Sequence, residues 1–229
     1  MKSRITPVLI NKKWNKEILK NAVYKEFLDF AVILRVLVLE TPEGNGTIRV
    51  NKDILNIWGV SESELWNTAF RNLNNERFIV EDFERVVEKI LKESVIAGFA
   101  MPSESYMPEN EPLKERTGLE KQTDPEKDSL MGGSGVFQYI LTNSKRNHGA
   151  VGMLRTDLLQ EVAEKEGCSL FILPSSIHEV LLLPDRGLLP AEMLKETVGS
   201  INQEYVEDEE KLSDNIYYFR KGADRAEIL

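Results

Sequence analysis

The chain has 229 residues, of which 41% are hydrophobic, and this is sufficient for one large or two small folded domains. Its formal charge of −9 disfavours wholesale binding to nucleic acid or to an anionic membrane, since both depend on a positive field. Cys168 is the one cysteine, so no internal disulfide can form. The longest apolar stretch, residues 30–39, is interrupted by Arg35 and has about half of the ~20 residues that a membrane span needs. We therefore expect a cytoplasmic protein without membrane spans.

Proline and acidic residues divide the chain into three parts. Residues 101–135 hold four of the nine prolines and have eight acidic against four basic side chains, with few apolar ones. Such a segment cannot bury enough apolar surface to offset the entropy of ordering it. We therefore expect an N-terminal α+β module at 1–100, an acidic proline-rich linker at 101–135 and a C-terminal α+β module at 136–229.

The N-terminal module begins with sheet-forming segments. The sequence "RITPVLIN" (4–11) predicts a strand, and "FLDFAVILRVLVLE" (27–40) predicts a longer strand in the middle of a sheet, because it is apolar on both faces. Asn45 and Gly46 tolerate positive φ and predict a tight turn into an antiparallel strand at 47–50.

Helices follow these strands. Asn51 predicts the N-cap of a short helix that ends at Gly59, and Ser61 with Glu64 forms the capping box of a second helix. A third helix is predicted at about 80–97. The apolar residues of the second helix recur at helical spacing: Leu65, Trp66, Ala69, Phe70 and Leu73.

The C-terminal module alternates strands and helices. "VFQYILTN" (136–143) and "AVGML" (150–154) predict a hairpin joined by the turn "SKRNHG". A helix from Thr156 to Gly167, two apolar strands, a helix at 190–206 and the closing strand "DNIYYFRK" follow. The predicted order is β-β-α-β-β-α-β, an antiparallel sheet with helices on one face, and the whole chain is therefore predicted to be α+β.

The two apolar strands enclose a polar cluster, Ser175, Ser176, His178 and Glu179, within "LFILPSSIHEVLLLPD". These are the residue types of a hydrolase, but a nucleophile must lie about 2.6 to 3.2 Å from its base. Residues two apart on an extended chain are separated by roughly 6.6 Å of rise. We therefore interpret the cluster as a turn between strands and predict no catalytic residue. The four residues remain a candidate binding site, with His178 or Glu179 as the polar anchor.

Metal and cofactor sites are not predicted. His148 falls in the turn "SKRNHG", where a solvated side chain is expected, and a metalloprotease motif starting at His178 would need histidine where Leu182 stands. Cys168 enters a buried strand and is interpreted as a small inert hydrophobe.

Several longer strings carry a family resemblance. They are "YKEFLDFAVILRVLV", "NKDILNIWGVSESELW", "YILTNSKRNHGAVGMLRTDLLQEVAEKEG", the "LPSSIHEV" string and "EKLSDNIYYF". In these the chain resembles an uncharacterised bacterial family, domain of unknown function 5688, over most of 1–100 and 136–220. The resemblance implies a cytoplasmic protein. Members of the family have a further N-terminal segment before the "RITPVLIN" strand, and the sequence departs from the family pattern there. The resemblance implies no activity, cofactor or catalytic residue.

Three functions remain open from the sequence. We expect a cytoplasmic, non-enzymatic protein-binding or adaptor module of undetermined oligomeric state. The alternative is a small hydrolase or nucleotide-processing enzyme that uses Ser175, Ser176, His178 and Glu179, beside Arg155 or Asp185. A third interpretation is nucleic-acid binding through residues 1–35, which carry eight basic against three acidic side chains.

Overall fold

A computed structural model describes residues 4–41, 44–83 and 139–229. The chain forms two compact units. The first comprises Met1–Val80 and Tyr139–Leu229, and the second is Glu81–Gln138, which beyond residue 83 lies outside the described residues. The predicted linker at 101–135 also lies outside them, and the three-part division of the chain stays a prediction.

The described residues contain ten strands, five α-helices and one 3-10 helix. The strands are β1 (Ile5–Asn11), β2 (Tyr24–Phe27), β3 (Phe30–Thr41), β4 (Gly44–Arg49), β5 (Phe78–Asp82), β6 (Tyr139–Asn143), β7 (Leu170–Pro174), β8 (Val180–Pro184), β9 (Tyr217–Phe219) and β10 (Glu227–Ile228). The helices are α1 (Lys16–Leu19), α2 (Lys52–Trp58), α3 (Glu62–Asn75), the 3-10 helix Gly149–Leu154, α4 (Thr156–Glu166) and α5 (Ala191–Tyr205).

The first sheet has four strands and is built around β3. Strands β1, β2 and β4 all pair with β3 in antiparallel register. One face of β3 is buried because Phe30, Val32 and Leu34 belong to the main apolar core. The predicted central position of this strand is thereby confirmed, but the strand begins at Phe30 and not at residue 27, because the chain turns at Leu28 after β2. Its register sets Arg35 opposite Thr6 on one side and Arg49 on the other.

The two helices after this sheet begin and end at the predicted residues. The side chain of Asn51 accepts a hydrogen bond from the Ile54 amide at 2.8 Å, and α2 ends at Gly59, whose φ is 61°. The Ser61 hydroxyl accepts from the Glu64 amide at 3.2 Å and caps α3. These ends follow from local chemistry, since a polar side chain satisfies the first amides and glycine adopts the left-handed conformation.

The second sheet has six strands in the order β10-β9-β7-β8-β6-β5. The pairings of β8 with β6 and β7, and of β9 with β7 and β10, are antiparallel. Its central strands are fully apolar, as in Leu170–Pro174, and the apolar core contains side chains from both sheets. With helices beside two antiparallel sheets, the predicted α+β class is confirmed.

Three further predicted elements differ from the structure. Residues 150–154 form part of a 3-10 helix and not a strand, so the second β of the predicted order is wrong. Strand β5 extends to Asp82, so the helix predicted at about 80–97 does not begin at 80, and its remaining residues lie outside the described ones. Asn45 and Gly46 belong to β4, where they pair with Glu40 and Leu39, so the turn does not lie at these two residues.

Candidate functional site

The residues of the "PSSIHE" stretch form the tip of the β7–β8 hairpin, in which Pro174 pairs with Val180. The Ser176 hydroxyl accepts a hydrogen bond from the His178 amide at 3.0 Å. The Ser176 amide donates to the Glu179 carbonyl at 3.3 Å. The serine therefore closes the turn by binding backbone groups, as serine commonly does in turns, and the predicted hairpin is confirmed.

The imidazole of His178 is held at both ring nitrogens. Its Nδ1 accepts a hydrogen bond from the backbone amide of His148 at 3.1 Å, so Nδ1 is the acceptor and Nε2 carries the proton. Nε2 lies 3.3 Å from Oε1 of Glu210, to which it donates. Neither nitrogen is thus directed at a serine hydroxyl, and the serine, histidine and carboxylate types at this tip are not arranged as a nucleophile and its base.

His148 lies beside this histidine, with 5.5 Å between the two ring centroids. The expectation of a solvated His148 is wrong, because Nε2 lies 2.5 Å from Nη1 of Arg35 and Nδ1 is buried without a hydrogen-bond partner. Since guanidinium can only donate, Nε2 is the acceptor and the neutral ring carries its proton on Nδ1. The cluster therefore contains a buried N–H donor with nothing bound to it.

Gly149 makes this approach possible. A Cβ at residue 149 would lie 2.5 Å from the Asn143 nitrogen and 2.6 Å from the His178 carbonyl, and would also collide with the Thr142 hydroxyl. That hydroxyl donates to the same His178 carbonyl at 2.8 Å. Only glycine lets the chain pass this close to the hairpin, and this passage sets His148 against His178.

Arg35 and His148, which contact each other, are in different charge states. Burial, followed by repulsion from Arg35 and then from His178, lowers the pKa of His148 to about 3. Burial and the nearby Arg49 also lower the pKa of Arg35, which nevertheless stays a cation at neutral pH. Among the described residues, no carboxylate forms an ion pair with Arg35. A half-buried cation therefore faces a neutral ring.

These groups border a cavity of about 160 Å³, which we call the Arg35 cavity. It lies between β1, β3, β4, the end of α3 and the turn that follows β6. Its Glu76 accepts a hydrogen bond from the Asn143 amide at 2.9 Å, and burial raises the pKa of this carboxyl. The polar side chains on its walls include Thr6, Arg35, Thr47, Glu76, Lys145 and His148.

Sequence reasoning missed Arg35 and His148 as site residues. One signal was present: Arg35 is the only charged residue inside the apolar run 30–39. A charge in a strand buried on both faces needs a specific environment. The contact between Arg35 and His148 could not be predicted, because the two residues are 113 positions apart in the sequence.

Other candidates from the sequence lie apart from this cavity. The basic residues of 1–35 occupy different places: Lys12 pairs with Glu26, and Lys25 lies 5.2 Å from the ring centroid of Trp66. Cys168 is half-buried. Within the ranges that the structure describes, no three histidine, cysteine or acidic residues are grouped to hold a metal ion, and no helix there could cross a membrane.

Fold and site together define an α+β protein with two open antiparallel sheets and a small cavity that carries an arginine and a histidine. The chain belongs to the family described as Family of unknown function (DUF5688), which matches residues 1–221. This confirms the resemblance seen in the sequence. Comparison with the curated proteins and with the solved structures finds no match.

Proposed function

We propose that this protein is a non-enzymatic protein-binding module of the cytoplasm and that its recognition centre is the Arg35 cavity. The observation that carries the proposal is the half-buried guanidinium of Arg35, which among the described residues has a neutral histidine and no carboxylate as partner. A buried charge without a counter-charge costs free energy. An anionic group from a partner that enters the cavity would offset this cost.

Apolar side chains next to the cavity support a protein as the partner. Leu37 and Thr47 pair in register and line the cavity. Pro7 and Val151 extend this apolar part of the lining beside Arg35. A desolvated charged centre beside apolar side chains is a common composition of protein interfaces.

The arrangement of His178 favours binding over the hydrolase alternative. A general base needs a free nitrogen directed at the nucleophile, but both nitrogens of His178 already have partners in His148 and Glu210. The network holds the hairpin tip against the cavity. Turnover of any ester or nucleotide that Ser175→Ala or His178→Ala abolishes, in a variant that stays folded, would contradict the proposal.

Site-specific photo-crosslinking tests the proposal directly. Asn147, an exposed residue that lines the cavity, is replaced by p-benzoylphenylalanine, and the protein is irradiated in a lysate of the cells that produce it. We expect a crosslinked partner that is lost when Arg35→Gln is added and is retained with Arg220→Gln, since Arg220 pairs with Glu227 and does not line the cavity. The reactive group at Ile57, which is 81% exposed on α2, serves as the matched position. The same band from Ile57, or a band from Asn147 that does not depend on Arg35, contradicts the proposal.

A further inference from the structure

We propose that the Arg35 cavity binds a phosphoryl oxyanion, presented on a phosphorylated side chain of the partner protein. The inference rests on the proposed function, since it names the chemical group that the recognition centre takes. It follows from the kind, number and arrangement of the polar groups on the cavity walls, and from the size of the cavity.

Hydrogen-bond donors dominate the walls. A guanidinium has five N–H donors, and the contact with Nε2 of His148 occupies Nη1 of Arg35. The Nδ1–H of His148 is sealed from solvent and is not one of the donors to a bound group. Thr6 and Thr47 also line the cavity, and their side-chain hydroxyls are donors. An anionic acceptor satisfies such a set better than any neutral group does.

The donors come from several sides. Thr6 and Arg35 are paired on neighbouring strands and project from the same face of the sheet, and Thr47 lies on the third strand. Lys145, which follows β6 in the chain, adds a positive charge from a segment outside this sheet. A tetrahedral oxyanion offers acceptor oxygens in all these directions, whereas a carboxylate offers two oxygens in one plane. This difference in shape favours a phosphoryl group over an acidic side chain.

One carboxyl group opposes an anion in this place. Glu76 lines the cavity, but its Oε1 is bound by the Asn143 amide, and burial disfavours its ionised form. Arg35 and Lys145 outnumber it on the walls, and Arg49 lies opposite Arg35 in the sheet and adds positive potential. The balance of charge at the cavity is thus positive on a protein whose formal charge is −9.

The volume restricts what can enter. At about 160 Å³ the cavity holds a small oxyanion with a few water molecules. It is smaller than the roughly 300 to 1,000 Å³ of pockets that enclose drug-sized ligands. A nucleotide base or a sugar would have to remain outside, so the phosphoryl group is the part that is recognised, and the remainder of the ligand lies on the surface outside the cavity.

Calorimetric titration with N-acetyl-O-phosphoserine amide, inorganic phosphate and acetate tests the inference on the whole chain. We expect the phosphoserine amide to bind, acetate to bind at least about tenfold more weakly, and Arg35→Gln to weaken the phosphoserine amide by about ten- to a hundredfold, the loss expected for a charged hydrogen bond. Arg220→Gln removes the same charge from an exposed arginine that pairs with Glu227 and does not line the cavity, and it is expected to weaken binding by less than about threefold.

A second variant covers the case in which Arg35→Gln does not fold. Arg35→Lys keeps the charge on β3 but loses the planar fork, and we expect it to bind the phosphoserine amide about tenfold more weakly than the wild type. Unchanged affinity in Arg35→Lys and in a folded Arg35→Gln overturns the site.

The outcomes separate this inference from the proposed function. Acetate bound as tightly as the phosphoserine amide overturns the phosphoryl inference but leaves a protein-binding module that takes acidic side chains. If inorganic phosphate binds and the phosphoserine amide does not, the phosphoryl group does not come from a partner protein, and the proposed function is contradicted as well. Phosphoserine binding that depends on Arg35, combined with crosslinking that does not, supports the inference and overturns the proposed interface.

Discussion

The hydroxyl of Tyr217 donates a hydrogen bond of 2.6 Å to Oδ1 of Asp29, which lies 188 residues earlier in the chain. The other oxygen of Asp29 accepts from the Ser213 hydroxyl at 2.9 Å and from the Asn215 amide at 3.0 Å. Asp29 stands in the turn between β2 and β3, next to Leu28, whose φ is 56°. One carboxylate thus attaches the first sheet to the segment that leads into β9.

Removing this hydroxyl is expected to destabilise the protein. Tyr217 is fully buried, so Tyr217→Phe takes one of its donors from Asp29 without access of water to replace it. We expect the free energy of unfolding to fall by about 1 to 3 kcal/mol, as measured by urea denaturation. Tyr218→Phe is the matched control, because the neighbouring hydroxyl donates to the half-buried Asp185 at 2.7 Å. If the free energy of unfolding fell equally in the two variants, the buried contact with Asp29 would contribute no more to stability than the half-buried contact with Asp185.

Gly149 is expected to be irreplaceable. Gly149→Ala forces a methyl group onto the His178 carbonyl, 2.6 Å away, and onto the backbone of Asn143. We expect a loss of about 1 to 3 kcal/mol or more in thermal or urea unfolding, since the packed backbone cannot yield cheaply. Gly199 in α5 has open space around it, and Gly199→Ala should stabilise by about 0.5 to 1 kcal/mol. A stable Gly149→Ala variant would contradict the packing of this turn on the hairpin.

His148 makes stability depend on pH in a defined direction. Its pKa is about 3 in the folded protein against an ordinary value of 6.5, so between these two values the unfolded chain binds a proton that the folded chain does not. The free energy of unfolding therefore falls as the pH falls from about 6.5 towards 3, by up to about 1.4 kcal/mol per pH unit from this group alone.

The His148→Gln variant isolates this contribution. The amide oxygen of glutamine can accept from Arg35, but it does not titrate, so we expect a smaller slope of unfolding free energy against pH. Carboxylates titrate in both proteins, and the difference between the two curves removes their shared part. Parallel curves between about pH 6 and 4 would mean that His148 is protonated as readily in the folded state as in the unfolded state.

The two serines of the hairpin tip are expected to behave differently. Ser176→Ala removes the acceptor for the His178 amide and should lower the free energy of unfolding by about 0.5 to 1.5 kcal/mol. In the described structure the Ser175 hydroxyl makes no hydrogen bond, and Ser175→Ala should stay within about 0.5 kcal/mol of the wild type. A larger effect of Ser175→Ala on ligand binding than on stability would favour a direct role of this hydroxyl.

Elements whose signals are local could be predicted from the sequence. The caps at Asn51 and Ser61 need one side chain and an amide three residues later, and the apolar strands on both sides of Ser175 need only composition and a turn between them. The 3-10 helix at Gly149–Leu154 could not be predicted in this way. Five apolar residues suit a strand or a buried helical turn equally, and contact decides: a Cβ at Gly152 would lie 3.0 Å from the Phe78 ring.

By itself, the sequence determined the α+β class, the β7–β8 hairpin and the turn role of Ser176, because each depends on residues within a few positions of one another. The tertiary structure alone decided the candidate site. Arg35, His148, His178 and Glu210 come from four separate segments, and they meet because the pairing of the strands and the close passage at Gly149 bring these segments together. Hydrogen bonds over such separations are consequences of packing, and packing is a property of the whole core.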